Sequence, residues 1–267
     1  MKQLKFLLFL LTINVFLLQP VLASSSLSRE EQLRERVLSA NMEEIYGTPG
    51  YQNTVNGWLV LYAPGYGKFQ GMFGKDMIAV LDKVANPSVF TGFAKDLLVI
   101  STQFGWDAER ELIARYLSGN VSRLKNPSGI IQRAIVSSRL QPGTVAPSIV
   151  ANRLPGQAML LVFYESGCDH CNQVITQLIR DYEKYRSKGI RVVTISSDED
   201  KEVYEYHSKN FPWVDKLCDF KGYSGANFMS YGVMGTPSIY VVDGNGIIQG
   251  QYTGLNELEI LLQEKNK

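Results

Sequence analysis

Cys168-Asp169-His170-Cys171 places two nucleophilic side chains one helical turn apart. At that spacing one sulfur can attack a disulfide and the other can resolve the mixed disulfide that forms. The context gives the spacing its meaning. Met159 to Tyr164 (MLLVFY) reads as a buried strand that reaches the motif through Glu165-Ser166-Gly167. The motif then opens a helix running to about Lys188, with Val174, Ile175, Leu178, Ile179 and Tyr182 at helical spacing. A helix N-terminus offers unpaired N–H groups and the positive end of the backbone dipole, and both favour a thiolate. Cys168 is therefore expected to be the nucleophile, with a depressed pKa, and Cys171 the resolving thiol. His170 beside the Cys168 sulfur would favour the thiolate further, whereas Asp169 opposes it.

Other uses of the pair fit less well. A structural disulfide between Cys168 and Cys171 would close a very small loop and add little stability. A zinc site needs two more ligands, and only Cys218, His170 and His207 remain, with no second CxxC. Haem attachment needs a His after the second cysteine, where this chain has Asn172.

A second element supports redox chemistry. Thr236-Pro237 stands at the entrance of the strand Ser238 to Asp243 (SIYVVD). A cis bond is expected there, which would expose the Thr236 backbone to a substrate chain and set an apolar ring beside the sulfurs. Ile190 to Ser196 is another strand, and a helix is expected from Asp198 to about Lys209. Cys218 should end a further strand, half-buried, and His207 should lie on a helix surface. Gly244-Asn245-Gly246 turns the chain into the returning strand Ile247 to Tyr252, and Leu255 to Gln263 is a terminal helix. The order predicts a central sheet with helices on both faces.

The region from Ser28 to about Leu140 has a different texture. Ser28-Arg29-Glu30-Glu31 is a capping box, and helical patterns follow at about 76–84, 88–102, 107–117 and 127–140. Asn86-Pro87-Ser88 and Asn126-Pro127-Ser128 punctuate them. The Gly- and Tyr-rich stretch from Gly47 to Gly74 reads as loop, with a short strand at Trp58 to Tyr62 and with Tyr51, Trp58, Tyr62 and Tyr66 packing it. This half has no cysteine, no histidine and no catalytic motif. Its expected roles are an accessory domain or a platform for a partner beside the site.

Residues 1–23 read as a cleaved secretory signal, with Lys2 and Lys5, an apolar run from Phe6 to Leu18, and Val21-Leu22-Ala23 at the cleavage point. Losing those two lysines from 27 basic against 26 acidic residues turns a net +1 into −1. A chain this neutral is a poor match for nucleic acid. No other stretch approaches about 18 apolar residues, so no stable membrane insertion is expected after cleavage. The expected organisation is a signal over 1–23, a mainly helical domain over 24–141 and a second domain over 142–267.

Taken together, residues 142–267 resemble the thioredoxin-like superfamily, and within it the TlpA/ResA-like thiol–disulfide oxidoreductases. The resemblance rests on Pro142-Gly143-Thr144-Val145-Ala146-Pro147, on CDHC after a strand, on the segment from Tyr231 to Asp243 around Gly235-Thr236-Pro237, and on Asp243-Gly244-Asn245-Gly246. It implies an α/β thioredoxin fold, a central mixed sheet flanked by helices, preceded here by the mainly helical domain. It also implies a redox-active Cys168–Cys171 disulfide, substrate positioning by Thr236 and Pro237, pKa tuning by His170 and Asp169, and no cofactor. The implied partners are protein thiols or disulfides and an upstream redox donor or acceptor. The implied place is outside the cytoplasm, periplasmic in a double-membraned bacterium. The chain departs from the family at Gly167, where a Trp is usual, and at Val162 and Val174, where family carboxylates stand. His170 resembles the CxHC of oxidants, so the direction of electron flow stays open. Peroxiredoxins share the Ala-Pro entry, but their Thr-x-x-Cys has Glu165 in the Thr position here. The alternative outside enzymes is a thioredoxin-fold adaptor whose cysteines are structural or idle.

Overall fold

Ser28 begins the first helix by the reciprocal bonds the capping box predicts. Its Oγ accepts the Glu31 N–H at 3.3 Å and its own N–H donates to the Glu31 carboxylate at 2.9 Å. The structure, a computed structural model, describes residues 27–63, 67–149, 156–256 and 258. The expected signal over 1–23, Tyr66 and most of the expected terminal helix lie outside them. Seven helices are described in the first half: α1 (Arg29–Leu38), α2 (Met42–Ile45), α3 (Tyr51–Leu59), α4 (Phe73–Leu81), α5 (Pro87–Gln103), α6 (Asp107–Gly119) and α7 (Gly129–Arg139). Asn86 caps α5 by accepting the Ser88 N–H at 2.9 Å, with Pro87 in the first turn, where a missing N–H costs nothing. The helices close on one core containing Phe73, Met77, Phe90, Phe93, Leu97, Ile113 and Ile131.

Within the stretch expected as loop and strand, Tyr51–Leu59 is instead the helix α3. Tyr51, Val55 and Trp58 fall at i, i+4 and i+7, so one face carries all three. Val55 and Trp58 are buried in the helical core, and Tyr51 packs against it. That burial offsets the roughly 1 kcal/mol cost of Gly57 inside the helix. Trp58 to Tyr62 forms no strand, since the described helical half has no sheet for it to join.

The second half is built on five strands: β1 (Met159–Tyr164), β2 (Arg191–Ser196), β3 (Asp215–Cys218), β4 (Ser238–Val242) and β5 (Ile248–Tyr252). Their order is β3-β2-β1-β4-β5, parallel from β1 to β3 and antiparallel where β4 joins β1 and β5. β1 is central and buried along its whole length. Leu160, Val162 and Tyr164 face the core shared with α8 (Asp169–Ser187), whereas Met159, Leu161 and Phe163 face Phe228, Tyr231 and Tyr240. This two-residue alternation is why the strand reads as continuously apolar. Two short helices follow, α9 (Lys201–Ser208) and α10 (Ala226–Ser230). Asp200 caps α9, so the helix begins at Lys201, three residues later than Asp198.

The two halves touch closely at Gly232. Its φ is +60°, and a Cβ there would stand 2.3 Å from the Ser137 nitrogen and 2.5 Å from the Arg133 carbonyl oxygen. Only glycine meets both demands without strain.

Candidate active site

β1 ends at Tyr164, and after three intervening residues Cys168 caps α8. The Cys168 Sγ accepts the Cys171 N–H at 3.2 Å, a helix-end donor bonding the sulfur directly. Cys168 is half-buried and Cys171 is fully buried, and both are free thiols. Burial, together with the neighbouring Cys168, pushes the Cys171 thiol up to about 12. The Glu165 backbone and the Thr236 side chain pull the other way.

The loop before β4 closes the site. The Thr236-Pro237 bond is cis, and Pro237 is buried. The Cys168 thiol faces the Thr236 carbonyl oxygen at 3.9 Å. The Thr236 hydroxyl lies 3.3 Å from the Tyr223 hydroxyl. Cys168, Cys171, Thr236 and Pro237, far apart in the chain, therefore share one site. Asp169 and His170 sit on the first turn of α8 with exposed side chains. Among the described residues no hydrogen bond links His170 to the Cys168 sulfur. Glu165 is exposed as well, and Gly167 leaves open space where a side chain would stand.

Sequence reading missed the groups beneath the loop. Asp198, expected to start a helix, is buried and turns back to the site. Its carboxylate accepts the Ser166 N–H at 3.1 Å, the Ser166 hydroxyl and the Ser196 hydroxyl at 2.6 Å. The Asn172 amide donates to the Ser166 carbonyl at 3.3 Å, and its oxygen meets His207 Nε2 at 2.7 Å. His207 is not a surface residue. It is half-buried and stacked on Tyr164, with ring centroids 5.6 Å apart. Burial lowers its pKa, and its Nδ1 is buried with no partner among the described residues. These groups fix the segment that delivers Cys168. Their signal in sequence was faint: an Asp two residues after a strand and a His seven residues into the next helix.

Cys218 ends β3, half-buried, as expected. Its thiol donates to the Asp198 carbonyl at 3.2 Å, and burial pushes it up, so it is a poor nucleophile. Among the described residues no three His, Cys, Asp or Glu side chains converge to hold a metal.

Comparison with known proteins agrees with this geometry. Residues 156–248 match the family model described as thioredoxin-like. This half of the chain is a thioredoxin-like domain. The chain is similar to the thiol–disulfide oxidoreductase ResA of Bacillus thuringiensis subsp. konkukian, 22% identical over 126 residues, covering 43% of this chain and 72% of the relative. The ResA of Bacillus anthracis is 24% identical over 131 residues, with the same coverage of 43% and 72%. Among solved structures, the thioredoxin domain of a thiol–disulfide oxidoreductase from Bacteroides vulgatus is 23% identical with a TM-score of 0.42, covering 47% of this chain and 97% of that one. These relatives carry the name thiol–disulfide oxidoreductase, and the likeness is confined to the second half of the chain.

Proposed function

We propose that this protein is an exported thiol–disulfide oxidoreductase that exchanges disulfides with protein clients through Cys168 and Cys171. The observation that carries the reading is the asymmetry of the pair. Cys168 is part-exposed and accepts a helix-end N–H, whereas Cys171 is fully buried with its thiol pushed up to about 12. In the reductive direction the Cys168 thiolate attacks a client disulfide. One client sulfur leaves and takes up a proton, and a mixed disulfide remains on Cys168. Cys171 then loses its proton and attacks Cys168 Sγ, which expels the second client thiol. The client disulfide gains two electrons, and the Cys168–Cys171 dithiol becomes a disulfide. The reverse sequence oxidises a client, and a separate redox donor or acceptor resets the pair. Thr236 and Pro237 align the client chain against Cys168, and Asp169 and His170 tune the thiolate from the exposed turn. The apolar leader over 1–23 supports export, and no helix among the described residues is long and apolar enough to cross a membrane.

The test is covalent trapping. Cys171→Ala should accumulate clients on Cys168, in complexes that dissolve on reduction, and Cys168→Ala should accumulate none. Equal trapping by both variants would reverse the assigned roles. A wild-type protein that neither reduces insulin nor shows a titratable 168/171 couple would favour the adaptor instead.

A further inference from the structure

The helical half reaches the thiol site through one side chain. Arg133 on α7 donates from Nη1 to the Tyr223 carbonyl at 3.1 Å, and its guanidinium lies over the Tyr223 ring at 5.3 Å. Its Nη1 also meets the Met229 sulfur at 3.9 Å, and its Nε is buried with no partner among the described residues. Among the described residues no carboxylate pairs with it. An unpaired guanidinium half-buried in this way is costly unless something is gained by holding it there. What it holds is Tyr223, whose hydroxyl meets the Thr236 hydroxyl at 3.3 Å. Thr236 in turn sets its carbonyl toward Cys168 at 3.9 Å, and its side chain favours the Cys171 thiolate.

The direction of these hydrogens matters. A buried phenol is a better donor than an alcohol, and burial keeps the Tyr223 hydroxyl protonated. When Tyr223 donates to Thr236 Oγ1, the Thr236 hydrogen is free to point at the Cys171 sulfur. A hydroxyl so directed stabilises a thiolate over a thiol. Besides the Glu165 backbone, which also favours the thiolate, Cys171 sits in an apolar core cluster with Val162, Val174 and Ile175.

We propose that Tyr223, braced by Arg133 from the helical half, is a positioning residue for the resolving step: it holds the Thr236 hydroxyl so that its hydrogen is directed at Cys171. The helical half is then part of the thiol site rather than a passive attachment. This rests on the disulfide-exchange reading above.

The experiment uses the full chain and the aromatic disulfide 5,5′-dithiobis(2-nitrobenzoate), followed by stopped flow across pH. Attack by Cys168 releases one coloured thiolate and leaves a mixed disulfide. Attack by Cys171 releases the second and closes the Cys168–Cys171 bond. Tyr223→Phe removes one oxygen and keeps the ring. It should leave the first phase within about twofold, slow the second about tenfold, and move the pH profile of the second up by about one unit. Arg133→Met should change the second phase in the same direction, and Arg133→Lys should restore part of it. A Tyr223→Phe protein that melts like wild type and keeps the second phase and its pH profile unchanged overturns the proposal. If both phases slow equally, the role is general stability and the proposal fails as well. A wild-type protein that releases only one thiolate refutes the disulfide-exchange reading itself, an outcome distinct from these.

Discussion

The buried carboxylates of the helical half and the thiol site are satisfied in opposite ways. In the helical half, buried Asp76 accepts Arg34 at 2.7 and 2.8 Å and the Tyr62 hydroxyl at 3.0 Å, which occupies both carboxylate oxygens. Buried Glu109 accepts the Gly74 N–H. Around the cysteines the matching is incomplete. The Cys171 thiol is held above its ordinary range, and the Tyr164 hydroxyl and His207 Nδ1 are buried with no partner among the described residues. A closed set of bonds stabilises one arrangement. An open set leaves groups whose protonation or bonding can change, which is what an exchange reaction requires.

Three substitutions probe that contrast. The largest effect on stability is expected from Arg34→Met, which leaves the Asp76 carboxylate buried with its ion-pair partner gone. Denaturant unfolding should show a loss of about 3 kcal/mol, while disulfide exchange by the folded protein is unchanged. A parallel loss of exchange in the folded protein would erase the distinction between the halves. Asp198→Asn comes next. It replaces a charged acceptor of three bonds by a neutral one, so a loss of about 2 kcal/mol is expected. Here exchange should fall as well, because Ser166 and the approach to Cys168 lose their anchor. Unchanged exchange kinetics would show that the loop is held without Asp198.

The smallest effect is expected from His207→Gln, and its signature is in pH. Burial lowers the His207 pKa in the folded chain. Below the unfolded value of about 6.5 the unfolded chain binds a proton that the folded chain does not, so stability falls as pH drops. The ring is part-exposed and screened, so the effect is on the order of 0.5 kcal/mol. The variant should lose stability less steeply between roughly pH 6.5 and 5 in melting experiments. An identical slope would place the acid sensitivity elsewhere.

Much of the thioredoxin-like half is legible in the chain because its signals are local. A buried strand, a CxxC, a helix and a Thr-Pro before a second strand each declare themselves within about ten residues. The helix missed at Tyr51–Leu59 has the opposite origin. Glycines and tyrosines there counted toward loop, but the i, i+4, i+7 face of Tyr51, Val55 and Trp58 becomes stabilising only when a core stands ready to receive it. Asp198 and His207 were read by their immediate neighbours as a helix start and a helix surface. Both turn inward because the loop carrying Ser166 and the amide of Asn172 come to meet them.

The sequence by itself determined the Cys168/Cys171 pair, the strand-to-helix junction that presents it and the Thr236-Pro237 loop beside it. These depend on spacing and on backbone preferences, which act over a few residues. Only the tertiary structure decided that Cys171 is fully buried while Cys168 is not, that Asp198 and His207 brace the site, and that Arg133 of the helical half touches Tyr223 behind it. Those facts depend on which distant groups share a desolvated volume. Desolvation is set by packing, and neighbours 30 to 90 residues apart leave no spacing in the chain to read.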